Sequence, residues 1–460
     1  MNSWVNDKLL PVVMRFSNTK VISSMKNGLI YTMPLTIVGS IFLLLSNFPV
    51  PAVSEFFLKT GWTVRFAQVT GATFDLMALI SVFAIAYQWV KEDGFQGLPA
   101  GILGMVAYVI TLTPIKQIMN TSGNKVIATA TGVIDKAWTG GKGMIAAIIL
   151  GAIVGWIYSW FLKRDIRIKL PDQVPANVAG AFTALIPAAV IMTFAFCIYL
   201  FFDGLFHMTM VDAIYRVIQT PLQGLTDNAG GLFVNIFLIS FLWAFGIHGP
   251  IVVGGILGPL VTANTLENVK LFQEGGQAAL EAHGHIFVSP LIDQFVTVTG
   301  SGVTIGLVIF MLFFAKSRIF KDLGKLALGP AIFNINEPLL FGIPIVLNPL
   351  LIPPFIITPL VTGMLTYVAI WLKILPVLSG VAVPWTTPAI ISGLIIGGAN
   401  GWKFMLWQIL MLVLSCVIWF PFARIQDRQN LAMEQGQDPK KVAEDIAEAK
   451  ETATTHEAAN

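Results

Sequence analysis

AGAFTALIPAAVIMTFAFCIYLFF, Ala179 to Phe202, holds no charged side chain. About 20 predominantly apolar residues carry an α-helix across the hydrocarbon layer of a bilayer, so this stretch is long enough to span. Similar blocks recur at Gly28 to Asn47, Phe74 to Val90, Leu98 to Thr113 and Gly143 to Leu162 before it. Gly230 to Gly246, Gly302 to Ala315, Ile343 to Leu372 and Lys403 to Ala423 follow it. The Ile343 to Leu372 block exceeds one span, and its Pro349, Pro353 and Pro354 predict a kink. The runs are too continuous for a β-barrel, whose strands alternate over about ten residues. The predicted fold class is therefore an all-α polytopic membrane protein.

Composition agrees. Of 460 residues, 55% are hydrophobic and 12% charged, whereas a soluble domain carries about 25% charged residues to cover its surface. Asn2 to Asn27 carries Lys8, Arg15, Lys20 and Lys26 among scattered apolar residues, which makes a poor signal peptide and reads as an amphipathic cytoplasmic lead-in. Cys197 and Cys416 both lie in apolar blocks without a neighbouring thiol, so they predict inert packing rather than a disulfide or metal site.

Lysine and arginine concentrate on the cytoplasmic face. With the amino terminus inside, 18 basic residues fall inside and 10 elsewhere. Four lysines between Pro114 and Lys142 oppose this orientation. The Lys316 to Lys325 cluster lies inside only if the interrupted stretch from Pro250 to Thr299 crosses in broken form. That crossing makes ten spans, with both termini cytoplasmic. Residues 1–162 form a regular first half, and 163–178 read as an amphipathic cytoplasmic connector. Residues 179–424 form a second half, and 425–460 a polar cytoplasmic tail, solvated or disordered. In the second half the apolar stretches at Pro250 to Thr262, His285 to Thr299 and Leu326 to Phe333 are too short for regular spans. Interrupted segments at membrane depth are tolerated where they are buried or line a cavity, and in transporters they point to the substrate site.

Ionisable groups in such segments point to function. Glu337, in IFNINEPLLFGIP (Ile332 to Pro344), is flanked by Asn334 and Asn336 and followed by Pro338, which disfavours helix at Glu337. The expected result is an unwound tip whose polar groups converge on a cavity, with Glu337, Asn334 and Asn336 as candidate substrate ligands, the alternative being a capping carboxylate in a loop. His248, in WAFGIHGP (Trp243 to Pro250), is framed by Gly246 and Gly249, and its imidazole can both donate to and accept from a hydroxyl. Asn235 and Trp243 precede it on similar faces of one predicted helix, about two turns apart. Trp385, in VPWTTP, is placed to stack on a sugar ring or to anchor at the interface. Asp293 and His285, in HIFVSPLIDQF, either face the pocket or pack structurally. No GxxxxGK[ST] loop argues for ATP hydrolysis, and no HExxH or cysteine cluster for metal catalysis. Neither a cofactor nor a nucleic-acid partner is predicted.

At these residues the chain resembles the enzyme IIC permeases of the lactose/cellobiose/diacetylchitobiose phosphotransferase family. The resemblance is carried by MKNGLIYTMPLTIVGSIFLL (Met25 to Leu44), IKLPDQVPANVAGAFTALIP (Ile168 to Pro187), FGIHGP (Phe245 to Pro250) and FNINEPLLFGIPIVLNP (Phe333 to Pro349). It implies ten spans with two re-entrant hairpins, a homodimer formed through the first half, and a sugar pocket in the second. It implies that Glu337 and His248 lie near the sugar hydroxyl that receives phosphate, and that Trp385 packs on the sugar. It also implies a separate cytoplasmic IIB protein, charged by IIA upstream, whose cysteine carries the phosphoryl group; the short tail predicts no fused IIB here. The expected cargo is a β-linked disaccharide, cellobiose first, then diacetylchitobiose or lactose. The expected location is the bacterial cytoplasmic membrane. Two rivals stand beside this reading: an ion-coupled sugar transporter with Glu337 as proton carrier, and a membrane enzyme acting on lipid-linked sugar.

Overall fold

The computed structural model describes residues 19–46, 51–119, 126–168, 182–343, 345–346 and 348–436. The early helices are α1 (Lys20–Ile30), α2 (Met33–Ser46), α3 (Trp62–Phe74), α4 (Met77–Glu92), α5 (Leu98–Ile110), α6 (Met144–Lys163) and α7 (Leu185–Phe206). Then come α8 (Ala229–Ala244), α9 (Gly249–His283), α10 (Ile305–Phe313), α11 (Arg318–Ile332), α12 (Glu337–Gly342), α13 (Ile352–Trp371) and α14 (Gly401–Glu434). Among the described residues, six helical segments are long and apolar enough to cross a membrane, or seven if the bent pair Met210–Gly224 and Ala229–Ala244 is one span.

The chain divides into two compact units. The first comprises Met1–Gly231, Pro250–Ser289 and Pro376–Ala382; the second comprises Leu232–Gly249, Pro290–Leu375 and Val383–Asn460. In the first, α4, α5 and α6 pack through small residues. A side chain at Gly104 or Gly151 would stand 3.1 or 3.0 Å from the Val82 carbonyl oxygen, so both helices approach the α4 backbone closely, as membrane helices do where little hydrophobic force drives them together. Asp93, just past the end of α4, pairs with Lys20 at the start of α1 and, at 2.6 Å, with Lys163 at the end of α6. Burial would push the Asp93 carboxyl up, but hydrogen bonds from Lys163 and Lys20 hold it below the usual carboxylate range. α7 turns mostly apolar side chains outward, Cys197 among them.

The second unit is built around Leu307, Met311, Phe320, Leu339, Phe355 and Trp419. Its irregular stretches are closed by side chains of α14. Ser415 Oγ donates to the Val303 carbonyl (2.6 Å), and the Trp419 indole donates to the Gly302 carbonyl (3.2 Å). Unpaired backbone groups away from water are costly, so these contacts make the breaks between α-helices tolerable.

Several expectations need correction. The described part of the Gly28 to Asn47 block, up to Ser46, is two helices, α1 and α2, separated at Tyr31 and Thr32. Pro250 to Thr262 is the regular start of α9, which runs 35 residues with a break at Gly276. Leu326 to Ile332 belongs to α11, whereas His285 to Thr299 is irregular as expected. Gly302 to Ala315 yields only the nine-residue α10. The prolines after Ile343 delay α13 until Ile352 rather than kinking it, with Pro353 and Pro354 in its first turn. The lysine-bearing loop after Pro114 contains an unforeseen hairpin, β1 (Ile115–Met119) antiparallel to β2 (Val126–Thr131). The connector and tail expectations fall mostly outside the described residues. Where residues 425–436 are described they are not a solvated tail: α14 continues to Glu434, and Gln426, Asp427 and Asn430 are buried.

Asp427 explains that burial. Its carboxylate accepts from Lys316 N–H (2.8 Å), Ser317 N–H (3.0 Å) and Ser317 Oγ (2.7 Å), capping the approach to α11. Replacing Asp427 by Ala strands these donors and is expected to cost about 3 kcal/mol. A thermal melt in detergent checks this, with Glu434→Ala, which frees only exposed donors of Arg318 and Ile319, expected to cost less.

Candidate functional site

Two chain reversals of one type build the polar centre of the second unit. α8 ends with Ile247 N–H donating to Leu242 O (3.0 Å) and Gly246 N–H to Trp243 O (2.9 Å). α11 ends with Ile335 N–H donating to Pro330 O (2.9 Å) and Asn334 N–H to Ala331 O (3.1 Å). Both are Schellman closures, which need a left-handed residue just past the helix. Gly246 (φ +79°) and Asn334 (φ +64°) supply it. Phe245-Gly246-Ile247-His248 and Phe333-Asn334-Ile335-Asn336 thus use the same backbone device, and each ends on a polar side chain.

Glycine takes that conformation at no steric cost and asparagine takes it more readily than most residues. At 334 the side chain is the reason for asparagine. Its Oδ1 accepts from Thr299 N–H (2.6 Å), and its Nδ2 donates to the carbonyls of Trp385 (2.6 Å) and Thr387 (2.9 Å). Asn336 Nδ2 donates to the Ser301 carbonyl and to Thr304 Oγ1 (3.3 Å). A Cβ at Gly300 would stand 2.4 Å from Asn336 Cγ, so this approach requires glycine. Asn334 and Asn336 are both buried, and these amides are committed to holding the turn Thr299 to Val303 against the Trp385 loop.

Glu337 follows directly as the first residue of α12, with Pro338 in the first turn. A carboxylate there is favoured by the helix dipole. Glu337 is exposed, and among the described residues its carboxylate joins no ion pair or hydrogen bond. The expected unwound tip is correct up to Asn336; Glu337 itself is helical. His248 is half-buried, its ring 4.6 Å from that of Trp243, tilted by 50°. Trp243 and Asn235 are buried, and Trp243 Nε1 and Asn235 Oδ1 have no partner among the described residues. Trp385 is 46% exposed. Asp293 sits half-buried in a single π-turn, Ile292–Val296. Of the nine residues singled out in the sequence, all but His285 lie in the second unit.

His285 lies in the first unit, past the end of α9, with Nδ1 2.7 Å from Asp227 and Nε2 3.0 Å from Glu267. Of its two readings, structural packing is the one realised. With a carboxylate at each nitrogen, both nitrogens donate, which is the imidazolium form. Burial alone would lower its pKa, but Asp227 and Glu267 raise it to about 9. Sequence reasoning also missed Gln408, whose fully buried amide accepts from Ile390 and Gly393 N–H and donates to Gln294 O and Ser392 Oγ. Nothing in the helical pattern of α14 marks it except its polarity.

Because the His285 pKa is raised above its ordinary 6.5, its stabilisation is fully present below about pH 6.5 and is lost as pH rises through about 9. Wild-type melting temperature should therefore fall across this window, and His285→Ala should flatten that fall. Removing the imidazole leaves two half-buried carboxylates without their shared partner, at a cost of about 2–3 kcal/mol once partial solvent screening is allowed for. Melting curves between pH 6 and 10 check both outcomes.

The profile of the family described as "Phosphotransferase system, EIIC" matches residues 26–359. The chain is 36% identical over 438 residues to the lichenan permease IIC component of Bacillus subtilis (strain 168), covering 94% of this chain and 95% of that protein. It is 36% identical over 442 residues to a cellobiose-specific EIIC component of Geobacillus stearothermophilus, covering 95% and 96%. Among solved structures it is similar to the transporter ChbC, the IIC component of an N,N'-diacetylchitobiose-specific phosphotransferase system. That match has a TM-score of 0.89 and 34% identity, and covers 95% of this chain and 100% of that one.

Proposed function

This chain belongs to the phosphotransferase system EIIC family, and from that premise we propose that it carries a β-linked disaccharide across the bacterial cytoplasmic membrane for phosphorylation by a separate IIB protein. Cellobiose is the first candidate cargo, with diacetylchitobiose and lactose behind it; the similarity to permeases named for lichenan, cellobiose and diacetylchitobiose supports that class. The proposal includes ten spans with two re-entrant hairpins, a homodimer formed through residues 1–162, and cytoplasmic termini. The six or seven long apolar segments, the irregular turns at Thr299 and Asn334, and the small-residue packing of the first unit support it.

The observation that carries the reading is the contrast inside NINE. Asn334 and Asn336 are committed to the protein, while the Glu337 carboxylate beside them is unspent. A group held in place by saturated neighbours, yet itself unpaired, fits a role toward a ligand. The sugar binds with hydroxyls paired to Glu337, His248, Asn235, Trp243 and Asp293, and Trp385 packs on its ring; Asn334 and Asn336 act as positioning residues. Once the sugar faces the cytoplasm, the primary hydroxyl oxygen attacks the phosphorus on the IIB phosphocysteine. The P–S bond breaks, the thiolate leaves, and the hydroxyl proton passes to Glu337. The added charge removes the fit of the sugar to its pocket. An ion-coupled transporter would need no phosphoenolpyruvate. Uptake into sealed vesicles tests this: dependence on phosphoenolpyruvate with the soluble components supports the proposal, and collapse with a protonophore alone would defeat it.

Glu337→Gln keeps a hydrogen-bonding oxygen but loses a proton acceptor. Phosphorylation-coupled uptake should fall by about 10²–10⁴-fold, with sugar binding weakened far less. Near-normal uptake with wild-type IIB would reduce Glu337 to a ligand.

The division of labour gives a further test. Alanine at His248 or Trp385 should weaken sugar binding by roughly 10–100-fold, the scale of one or two buried polar contacts, while the size of the detergent-solubilised assembly stays that of wild type. Sugar titration and size measurement on the same samples read both. A smaller particle with unchanged affinity would put these residues in assembly instead.

A further inference from the structure

Gln294 is a residue that the mechanism above does not use. It is 1% exposed, and neither its Nε2 nor its Oε1 has a partner among the described residues. Its own carbonyl accepts from Gln408 Nε2 (3.0 Å), and the Gln408 amide makes four hydrogen bonds. A buried amide with both ends empty is exceptional, because buried polar groups are nearly always paired and leaving them unpaired is costly.

The position of the residue narrows the explanation. Gln294 lies in the π-turn Ile292–Val296, a distortion that occurs frequently at functional sites. Five residues later the chain reaches Thr299, which Asn334 holds. The turn also meets α8. Around Gly363 of α13, a Cβ would stand 2.5 Å from Ile236 Cδ1 and 2.8 Å from Val296 Cγ2. The segment bearing Gln294 and the segment bearing Asn235 therefore converge on the bare backbone of α13. Asn235 Oδ1 is likewise buried and unpaired, as is Trp243 Nε1 two turns further along α8. Together these groups leave two donors, Gln294 Nε2 and Trp243 Nε1, and two acceptors, Gln294 Oε1 and Asn235 Oδ1. A hydroxyl both donates and accepts, so the set is complementary to a pair of hydroxyls and has no bias toward an ion of either sign.

We propose that Gln294 is a direct sugar-binding residue, whose amide pairs with hydroxyls of the saccharide in company with Asn235 and Trp243. This rests on the reading of the chain as a disaccharide permease. It adds a donor–acceptor pair that is distinct from the Glu337 and His248 end of the sugar. It assigns Gln294 to affinity and hydroxyl pattern, not to the phosphoryl step.

The test is Gln294→Met, which keeps the unbranched shape and removes both polar atoms, with Gln294→Asn as a second variant that keeps the amide but shortens its reach. Purified protein is titrated with cellobiose, and with diacetylchitobiose and lactose in parallel, and its melting temperature is measured without sugar. Affinity should fall by about tenfold or more in Gln294→Met. The sugar-free melting temperature should hold or rise, because an unpaired buried amide has been removed. Gln294→Asn should lose affinity without losing stability. Unchanged affinity with a raised melting temperature would mean that the amide is only paired to water, and overturns the inference. Loss of fold in both variants would mean that the amide has a partner within the protein, and overturns it equally. A wild type that binds none of the three sugars would overturn the proposed substrate class and this inference with it, whereas a sugar-binding wild type matched by Gln294→Met would overturn this inference alone.

Discussion

The mutual grip between the turn Thr299 to Val303 and the Asn334–Asn336 reversal is the contact on which the second unit depends. Thr299 (φ +59°), Gly300 (+92°), Gly302 (+87°) and Val303 (+47°) are all left-handed, and no regular ladder can form through such a run. Its backbone groups are met instead one by one: Thr299 N–H by Asn334, Ser301 O by Asn336, Gly302 O by Trp419 and Val303 O by Ser415. In a chain whose solvent is lipid, non-helical backbone persists only when it is satisfied from within. Val303 is β-branched, and its positive φ is strained, so this arrangement is held by its surroundings and is not a local preference. The same contacts deliver Glu337 at a fixed place.

Much of this was legible in the sequence. Charge-poor blocks such as Ala179 to Phe202 identified the solvent, and NINEP with FGIHGP identified the polar residues worth weighing. Where boundaries were misplaced, local chemistry outweighed composition. Pro349, Pro353 and Pro354 look like interruptions within a long apolar block, yet the helix begins at Ile352 and takes the last two into its first turn, where a missing N–H does no harm. Conversely, Gly254, Gly255, Gly258 and Pro259 look like a broken span, but α9 runs through them. Composition reports how polar a segment is and not whether its hydrogen bonds can be closed by neighbours.

What sequence could not reach were partners distant along the chain. Asn268 is an ordinary polar residue of α9 until the fold brings His285 and Leu378 to it; its amide then donates to both carbonyls and accepts from His285 N–H. Asn264 likewise accepts from Gln223 Nε2 and donates to the Phe287 carbonyl. The pairing of His285 with Asp227 and Glu267 spans residues separated by up to 58 positions. A histidine in a glycine-flanked loop, seen without those partners, is indistinguishable from one facing a substrate.

Hydrogen-bond accounting separates these cases where residue type does not. Asn334, Asn336, Asn268 and Gln408 are amides in irregular or apolar surroundings, and their bonds go to the protein; they are struts. Glu337, Gln294, Asn235 Oδ1 and Trp243 Nε1 sit among such struts, in the same unit, with no partner of their own among the described residues. Stability alone would favour replacing the buried members of this second group with apolar residues, since an unpaired buried group only costs. A protein that closes nearly every backbone bond around them, yet leaves these ends open, gains from them only when something else supplies the partner. For a neutral polyol the partner must both give and take hydrogen bonds, and the open groups offer both. The carboxylate is the one member whose protonation can change, which in the proposed reading separates the end of the site that reacts from the part that only recognises.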